Sequence, residues 1–583
     1  MNITHQHLSF VYLKPLMTRS VRFVVLLVTL SLSALHGQTD RTYRSPLPTQ
    51  YDSTLAIEAL RQRMDQIFSS SAYNNSKVSV MVWSITQNKP VYSRNSTTAL
   101  TPASTTKLFS TASYYQHVGS GAFIATDVVT DGTVSADGTV HGNIYLVGHG
   151  DALLSVNDLE DLADQLRISG IKRITGNVYG DGSAFDGQTN RAVYSGDYED
   201  VQPLPPIVAL TVNKGTIVVV ASASGRNVNY QTIPSSSTVV LVRKSTAARP
   251  APPPQTSKTK TKSKKQSSSK SVQRKTSRSR AKSARRGDAL PLPVMRNRNR
   301  KGNRKYAPRL AAYSSVLPDG TQQIVVSGAP RANSSISVYV TMARPALTTA
   351  GVFAERLKTG GIDIGGTIGE RKAPYQSKRI GQFKRPFVDF ASIVNKRSDN
   401  YLAEHVFKMV GALCGETGNT AIRAKRALLE SLDSLGVARH GCSFNDGSGL
   451  SRRNVVSAAT EVDLLRKIYQ QPWGNEYRST LAVGAYDGTI RNRMHNSPAA
   501  NNVTAKTGTL RNVSALAGYV TTRDGELLAF SFISNGPYVG AYKGSENLAA
   551  IALASFSYQQ RVPLLPNDVL PNAKTKDVED EEE

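Results

Sequence analysis

The chain has 583 residues, 39% of them hydrophobic, which is more than one compact core holds and supports two or more folded domains. Its net charge of +28 invites a nucleic-acid partner, yet residues 243–309 hold 23 Lys/Arg and one acid, Asp288, so +22 of that charge sits in one segment. The rest is nearly balanced, and the segment has Tyr306 as its only aromatic, which argues against base stacking and no nucleic acid is expected.

At the N-terminus Lys14, Arg19 and Arg22 accompany an apolar run over residues 23–35, with no acid before Asp40. This predicts a secretory signal peptide over residues 1–37: thirteen residues span about 20 Å as a helix, short of the ~30 Å hydrocarbon core. Residues 55–68 have helical periodicity, and 77–86 alternate as a strand before a turn at 87–90 and a second strand from Val91. Next, Thr101-Pro102-Ala103-Ser104-Thr105-Thr106-Lys107 places a proline ahead of helix-compatible residues, with Ser104 near the first turn. A spacing of three puts Ser104 and Lys107 on one helical face, about 5–6 Å apart at Cβ. A serine hydroxyl needs a base to become nucleophilic, and a lysine serves only if burial or a neighbouring cation lowers its pKa. That shift is expected for Lys107, with Lys506 as the neighbouring cation.

Residues 162–166 lead to Gly170-Ile171 and Gly176, as 353–357 lead to Gly361-Ile362 and Gly366. Both read as helix, glycine stop and short strand, either paired α/β units of one inserted domain or a chance likeness. Asp197 and Asp200 either recognise an amino group of a substrate or belong to a solvated acidic loop. Residues 243–309 bury too little apolar surface to offset ordering entropy and are expected to be disordered. Ser398-Asp399-Asn400 precedes a helical run over 401–410. The only cysteines, Cys414 and Cys442, form a disulfide or stay as two buried thiols. No His/Cys cluster has metal-ligand spacing, so neither a metal nor another cofactor is expected.

Residues 446–451, with two glycines, form either an active-site edge or a tight loop needing positive φ. Lys506-Thr507-Gly508-Thr509 falls on the strand before Ser514, and 514–521 and 526–535 are strand-like runs joined by Arg523-Asp524-Gly525. Ser545 is expected to cap an apolar helix running to Tyr558. Residues 566–583 form an acidic tail. An antiparallel sheet built from both ends of the chain and flanked by helices explains this order, with the middle as an insertion.

Ser104-x-x-Lys107, Ser398-Asp399-Asn400 and Lys506-Thr507-Gly508, in that order, form the three-part signature of penicillin-binding proteins and serine β-lactamases. With residues 145–151, 183–187, 446–452 and Asp487-Gly488-Thr489-Ile490-Arg491, the chain resembles the D-alanyl-D-alanine carboxypeptidase/endopeptidase family, the class C low-molecular-mass penicillin-binding proteins. The likeness covers about 55–558 without the basic segment. It implies an α+β fold: a penicillin-binding/serine β-lactamase-like domain (45–125 and 373–565) with smaller α/β and β-rich domains inserted over 126–372.

The resemblance also implies roles. Ser104 attacks the penultimate D-Ala carbonyl, Lys107 takes its proton, and Ser398 passes the proton to the leaving D-amino acid. Asn400 holds the substrate amide and the lysine in register, and Lys506 supplies a cation for the terminal carboxylate with Thr507 and Thr509 adding hydrogen bonds. Gly508 belongs to the same substrate-binding strand, the N–H groups of Ser104 and Thr509 form an oxyanion hole, and Asp399 is structural. Peptidoglycan is then the substrate, β-lactam antibiotics are covalent inhibitors, and the setting is the periplasm or cell envelope. Two alternatives stand beside this reading: a serine β-lactamase, for which no base for the hydrolytic water is identifiable, and a binding protein that grips anionic wall or lipid polymers through 243–309.

Overall fold

The computed structural model describes residues 53–198, 202–225, 227–244, 310–414 and 419–559. The expected signal peptide, the basic segment beyond Lys244, Asp200 and the acidic tail lie outside the described residues.

Helix α1 (Ser53–Phe68) buries Ala56, Leu60, Met64 and Ile67, a spacing of three to four that keeps one stripe inward. A hairpin follows, β1 (Lys77–Ser84) and β2 (Lys89–Arg94). The second strand starts at Lys89, before the proline, because Ser84 pairs with Lys89 and Trp83 with Pro90 across a bulge. A 3₁₀ turn, Ala103–Thr105, then leads into α2 (Thr106–Val118). After the inserted region come α3 (Phe387–Lys396), α4 (Asn400–Leu413), α5 (Thr420–Ser434) and α6 (Ala458–Tyr469). The chain then adds β3 (Ala482–Val483), β4 (Thr504–Leu510), β5 (Val513–Thr521), β6 (Leu527–Asn535) and α7 (Val539–Ser555).

These strands form one six-stranded sheet in the order β3-β4-β5-β6-β1-β2, with β1 from the N-terminal side paired antiparallel to β6. The sheet therefore joins both ends of the chain, as the α+β reading expects. Period-two alternation divides β5: Leu516 and Val520 pack in the cluster of α1 and α7, while Ala515, Ala517 and Tyr519 face the cluster of α2, α4 and α6. Helix α7 begins at Val539, earlier than expected, and Ser545 lies inside it rather than at its cap. Gly540 and Gly544 hide this turn in the sequence, but a Cβ at either would meet open space, and Tyr542 and Glu546 carry the buried face.

Between α2 and α3, helix Val156–Ile168 with strands Arg173–Ile174 and Val178–Asp181 stands beside helix Pro345–Thr359 with strands Asp363–Ile364 and Ile368–Glu370. The corresponding strands pair in parallel, Arg173 with Asp363 and Val178 with Ile368, so the two similar stretches are neighbours in space. Both helices stop at a glycine with positive φ, Gly170 (+89°) and Gly361 (+84°). Two three-stranded sheets make the β-rich part, and the basic segment connects Val239–Arg243 to Ala311–Val316, both paired with the strand Gln322–Ser327. Cys414 and Cys442 are thiols, and burial pushes the Cys442 thiol up to about 11.

Candidate active site

Ser104 lies in the 3₁₀ turn and Lys107 one turn on, at the start of α2. Lys107 Nζ donates to Ser104 Oγ at 2.8 Å, to Asn400 Oδ1 at 2.8 Å and to the Ser448 carbonyl at 2.5 Å. All three ammonium donors have a direction, so the amine is aimed rather than free to rotate. Ala103, immediately before Ser104, has φ +53°, and Ser398 has φ +57°, strained values for residues with a Cβ. The turn around Ala103 is held from outside: Gly449 (φ +78°) lies so close that a Cβ there would come within 1.9 Å of the Ala103 carbonyl.

Strand β4 packs on the same turn. A Cβ at Gly508 would come within 2.3 Å of the Pro102 carbonyl, so glycine is what lets the Lys506-Thr507-Gly508-Thr509 strand approach the turn that carries Ser104. Strand β3 pairs only with Thr504 and Ala505, which leaves the rest of that edge of β4 open. Lys506 Nζ donates to Ser398 Oγ at 2.9 Å and to the Thr507 carbonyl at 2.8 Å. Thr507 Oγ1 donates to Thr489 Oγ1 at 2.8 Å. Asp399 caps α4 by accepting from Leu402 N–H at 3.0 Å and pairs with Lys214 at 2.6 Å, so it positions its neighbours Ser398 and Asn400.

A cleft of about 340 Å³ gathers the motif residues Ser104, Ser398, Asn400, Thr507 and Thr509. Thr489, Arg493 and Lys543 line it too, and of these only Thr489 stood in a sequence motif. Asn400 Nδ2 reaches Gln202 Oε1 at 2.6 Å, a contact from the inserted region that no periodicity could reveal.

Lys107 and Lys506 are fully buried. Burial pushes Lys107 down to about 8, against the pull of the Asp446, Glu404 and Asp399 carboxylates. Lys506 is pushed well below the usual lysine value, first by burial and then by the charge on Lys107. The charge on Lys107 thus adds to burial in depressing Lys506.

Behind Lys107 lies a buried carboxylate network. Asp446 accepts from Gly449 N–H at 2.9 Å, and the carbonyl of that same peptide unit, Ser448 C=O, receives Lys107. Asp446 pairs with Arg191 at 3.0 Å, and Glu404 accepts from Ser448 N–H at 2.8 Å. The 446–451 stretch is therefore both a tight glycine loop and one wall of the site. Asp197 Oδ2 accepts from Ser451 Oγ at 3.0 Å and Arg452 N–H at 2.9 Å, holding that loop instead of standing in a solvated one.

The model of the D-Ala-D-Ala carboxypeptidase 3 (S13) family matches residues 60–270 and 287–557. The chain belongs to that family. It is by this membership a serine D-Ala-D-Ala carboxypeptidase, as the ordered motifs implied. A D-alanyl-D-alanine carboxypeptidase of Actinomadura sp. (strain R39) is 29% identical over 521 residues, 86% of each chain. The crystal structure of penicillin binding protein 4 (dacB) from Haemophilus influenzae superposes with a TM-score of 0.59 at 20% identity, over 84% of this chain and 98% of that one. The same protein complexed with a novel β-lactam gives 0.56. At that identity the likeness concerns the fold.

Proposed function

We propose that this carboxypeptidase cleaves the terminal D-Ala-D-Ala bond of peptidoglycan stem peptides, and opens cross-links of the same chemistry, through an ester on Ser104. The observation that carries the reading is the 2.8 Å contact between Lys107 Nζ and Ser104 Oγ in a buried setting that lowers the lysine to about 8, within reach of the neutral form. Ser104 Oγ attacks the penultimate D-Ala carbonyl while its proton passes to Lys107 Nζ. The tetrahedral oxyanion is received by the N–H groups of Ser104 and Thr509, each such donor lowering a barrier by about 3–4 kcal/mol. As the C–N bond breaks, the proton passes through Ser398 to the leaving amine. Water then adds to the ester and the sequence runs back to free Ser104.

Asn400 keeps the amine and the substrate amide in register, Thr507 and Thr509 hydrogen-bond the terminal carboxylate, and Lys506 holds Ser398 Oγ in place. Gly508 allows the close approach. Among the described residues that line the cleft none is a carboxylate, which favours a long-lived penicillin ester over rapid lactamase turnover. We place the enzyme outside the cytoplasm on the strength of residues 1–37, with residues 126–372 as insertions in the penicillin-binding domain. Retention on anionic wall or lipid polymers through 243–309 is a separate proposal, tested by deleting the segment and measuring wall retention. Digestion of purified peptidoglycan tests the main reading: released D-Ala with or without opened cross-links supports it, and neither product refutes it.

A further inference from the structure

We propose that Arg493 and Lys543, rather than Lys506, are the cations that contact the substrate's terminal carboxylate, and so set the preference for a free C-terminus. The inference rests on the carboxypeptidase reading and deepens it. Lys506 is fully buried, and its ammonium is turned to Ser398 Oγ and the Thr507 carbonyl. The cationic groups that line the cleft with Thr507 and Thr509 are Arg493 and Lys543.

Their placement is built. Thr489 is tied to Thr507 at 2.8 Å, and Arg493 follows one turn later in the same segment. Arg493 Nε donates to Asn547 Oδ1 at 2.6 Å and Nη2 to Glu546 Oε2 at 2.9 Å, which fixes the guanidinium, and Nη2 also reaches the Lys543 carbonyl at 3.4 Å. Lys543 Nζ has no hydrogen-bond or ion-pair partner among the described residues and is partly exposed. Glu546 is one buried carboxylate against two cations, and Ser514 Oγ shares it at 2.6 Å. The wall keeps a positive excess in the cleft that Thr507 and Thr509 also line. A carboxylate there would gain charge-assisted bonds from Lys543 and the fixed guanidinium together with both hydroxyls.

Lys506 then acts through Ser398, on proton transfer, and its loss should be indifferent to the charge of the substrate's end. The test uses an N-acylated peptide ending in D-Ala-D-Ala, once as the free acid and once as the C-terminal carboxamide. Wild-type enzyme should prefer the acid. Lys543→Met should lower the acid-to-amide ratio of kcat/KM by about tenfold, and Lys543→Glu by more, on folded protein verified by circular dichroism. Lys506→Met should depress both peptides in parallel. An unchanged ratio in both Lys543 variants, or a selective loss of the acid in Lys506→Met, would overturn the inference. Wild-type enzyme that cleaves neither peptide overturns the carboxypeptidase reading and the inference with it.

Discussion

Asn400 Oδ1 accepts a hydrogen bond from Lys107 Nζ at 2.8 Å, across 293 positions of sequence. The first turn of α4 thereby orients the amine of Lys107 that α2 carries, and the same side chain borders the cleft.

Removing that acceptor should misdirect the amine without disturbing the core. Asn400→Ala is expected to slow acylation by penicillin about 100-fold, the scale of a misplaced reacting group, with little change in thermal midpoint. Stopped-flow acylation kinetics and a melting curve check both halves.

The pH dependence of acylation follows from Lys107. The base must be neutral, and burial places its pKa at about 8, so the rate constant should rise with pH and level off above that value. Asp446 is the leading charge that holds Lys107 up, so Asp446→Asn should move the rising limb to lower pH. The asparagine can still accept from Gly449 N–H but leaves the buried Arg191 without its partner charge, so the limb is read on protein shown to be folded by circular dichroism. A limb that does not move in the variant would remove Asp446 from the account.

Gly508→Ala tests the packing of β4 on the nucleophile turn. A methyl group 2.3 Å from the Pro102 carbonyl forces the strand away from Ser104. Acylation should fall by about 100-fold or more while penicillin still labels Ser104 at long times. Rapid, unimpaired labelling would mean that the approach is not needed.

A stability prediction concerns the inserted region. Arg385 holds Asp151 at 2.9 Å and Asp158 at 2.6 Å, and Asp151 is buried. Arg385→Met leaves that carboxylate without its cation and should cost about 3–5 kcal/mol at neutral pH. Burial already pushes Asp151 up to about 6, so its folded form takes a proton more readily than the unfolded chain does. The deficit should therefore narrow as pH falls toward 5, measured by urea unfolding across pH.

Much of this site was legible because its chemistry is ordered along the chain: Ser104 and Lys107 by helical spacing, Ser398 and Asn400 before a helix, Lys506 and Thr509 on a strand. The sheet was legible for a similar reason, since β5 and β6 are apolar runs of strand length joined by a turn. What periodicity cannot carry is a backbone carbonyl, such as Ser448, or a partner supplied from a distant insertion, such as Gln202 or Arg191. The start of α7 was obscured because Gly540 and Gly544 read as breakers, although their exposed positions tolerate them. The carboxylates of Asp399, Glu404 and Asp446, which hold Lys107 up against burial, come from separate stretches that only the fold brings together.

The central claim, that Ser104 forms the acyl-enzyme with Lys107 as base, is tested most directly by mass spectrometry of the penicillin-treated protein. One adduct should appear, on the peptide containing Ser104, and it should be absent from Ser104→Ala and from Lys107→Arg, because a guanidinium does not deprotonate in this range. An undiminished adduct on folded Ser104→Ala protein would contradict the account.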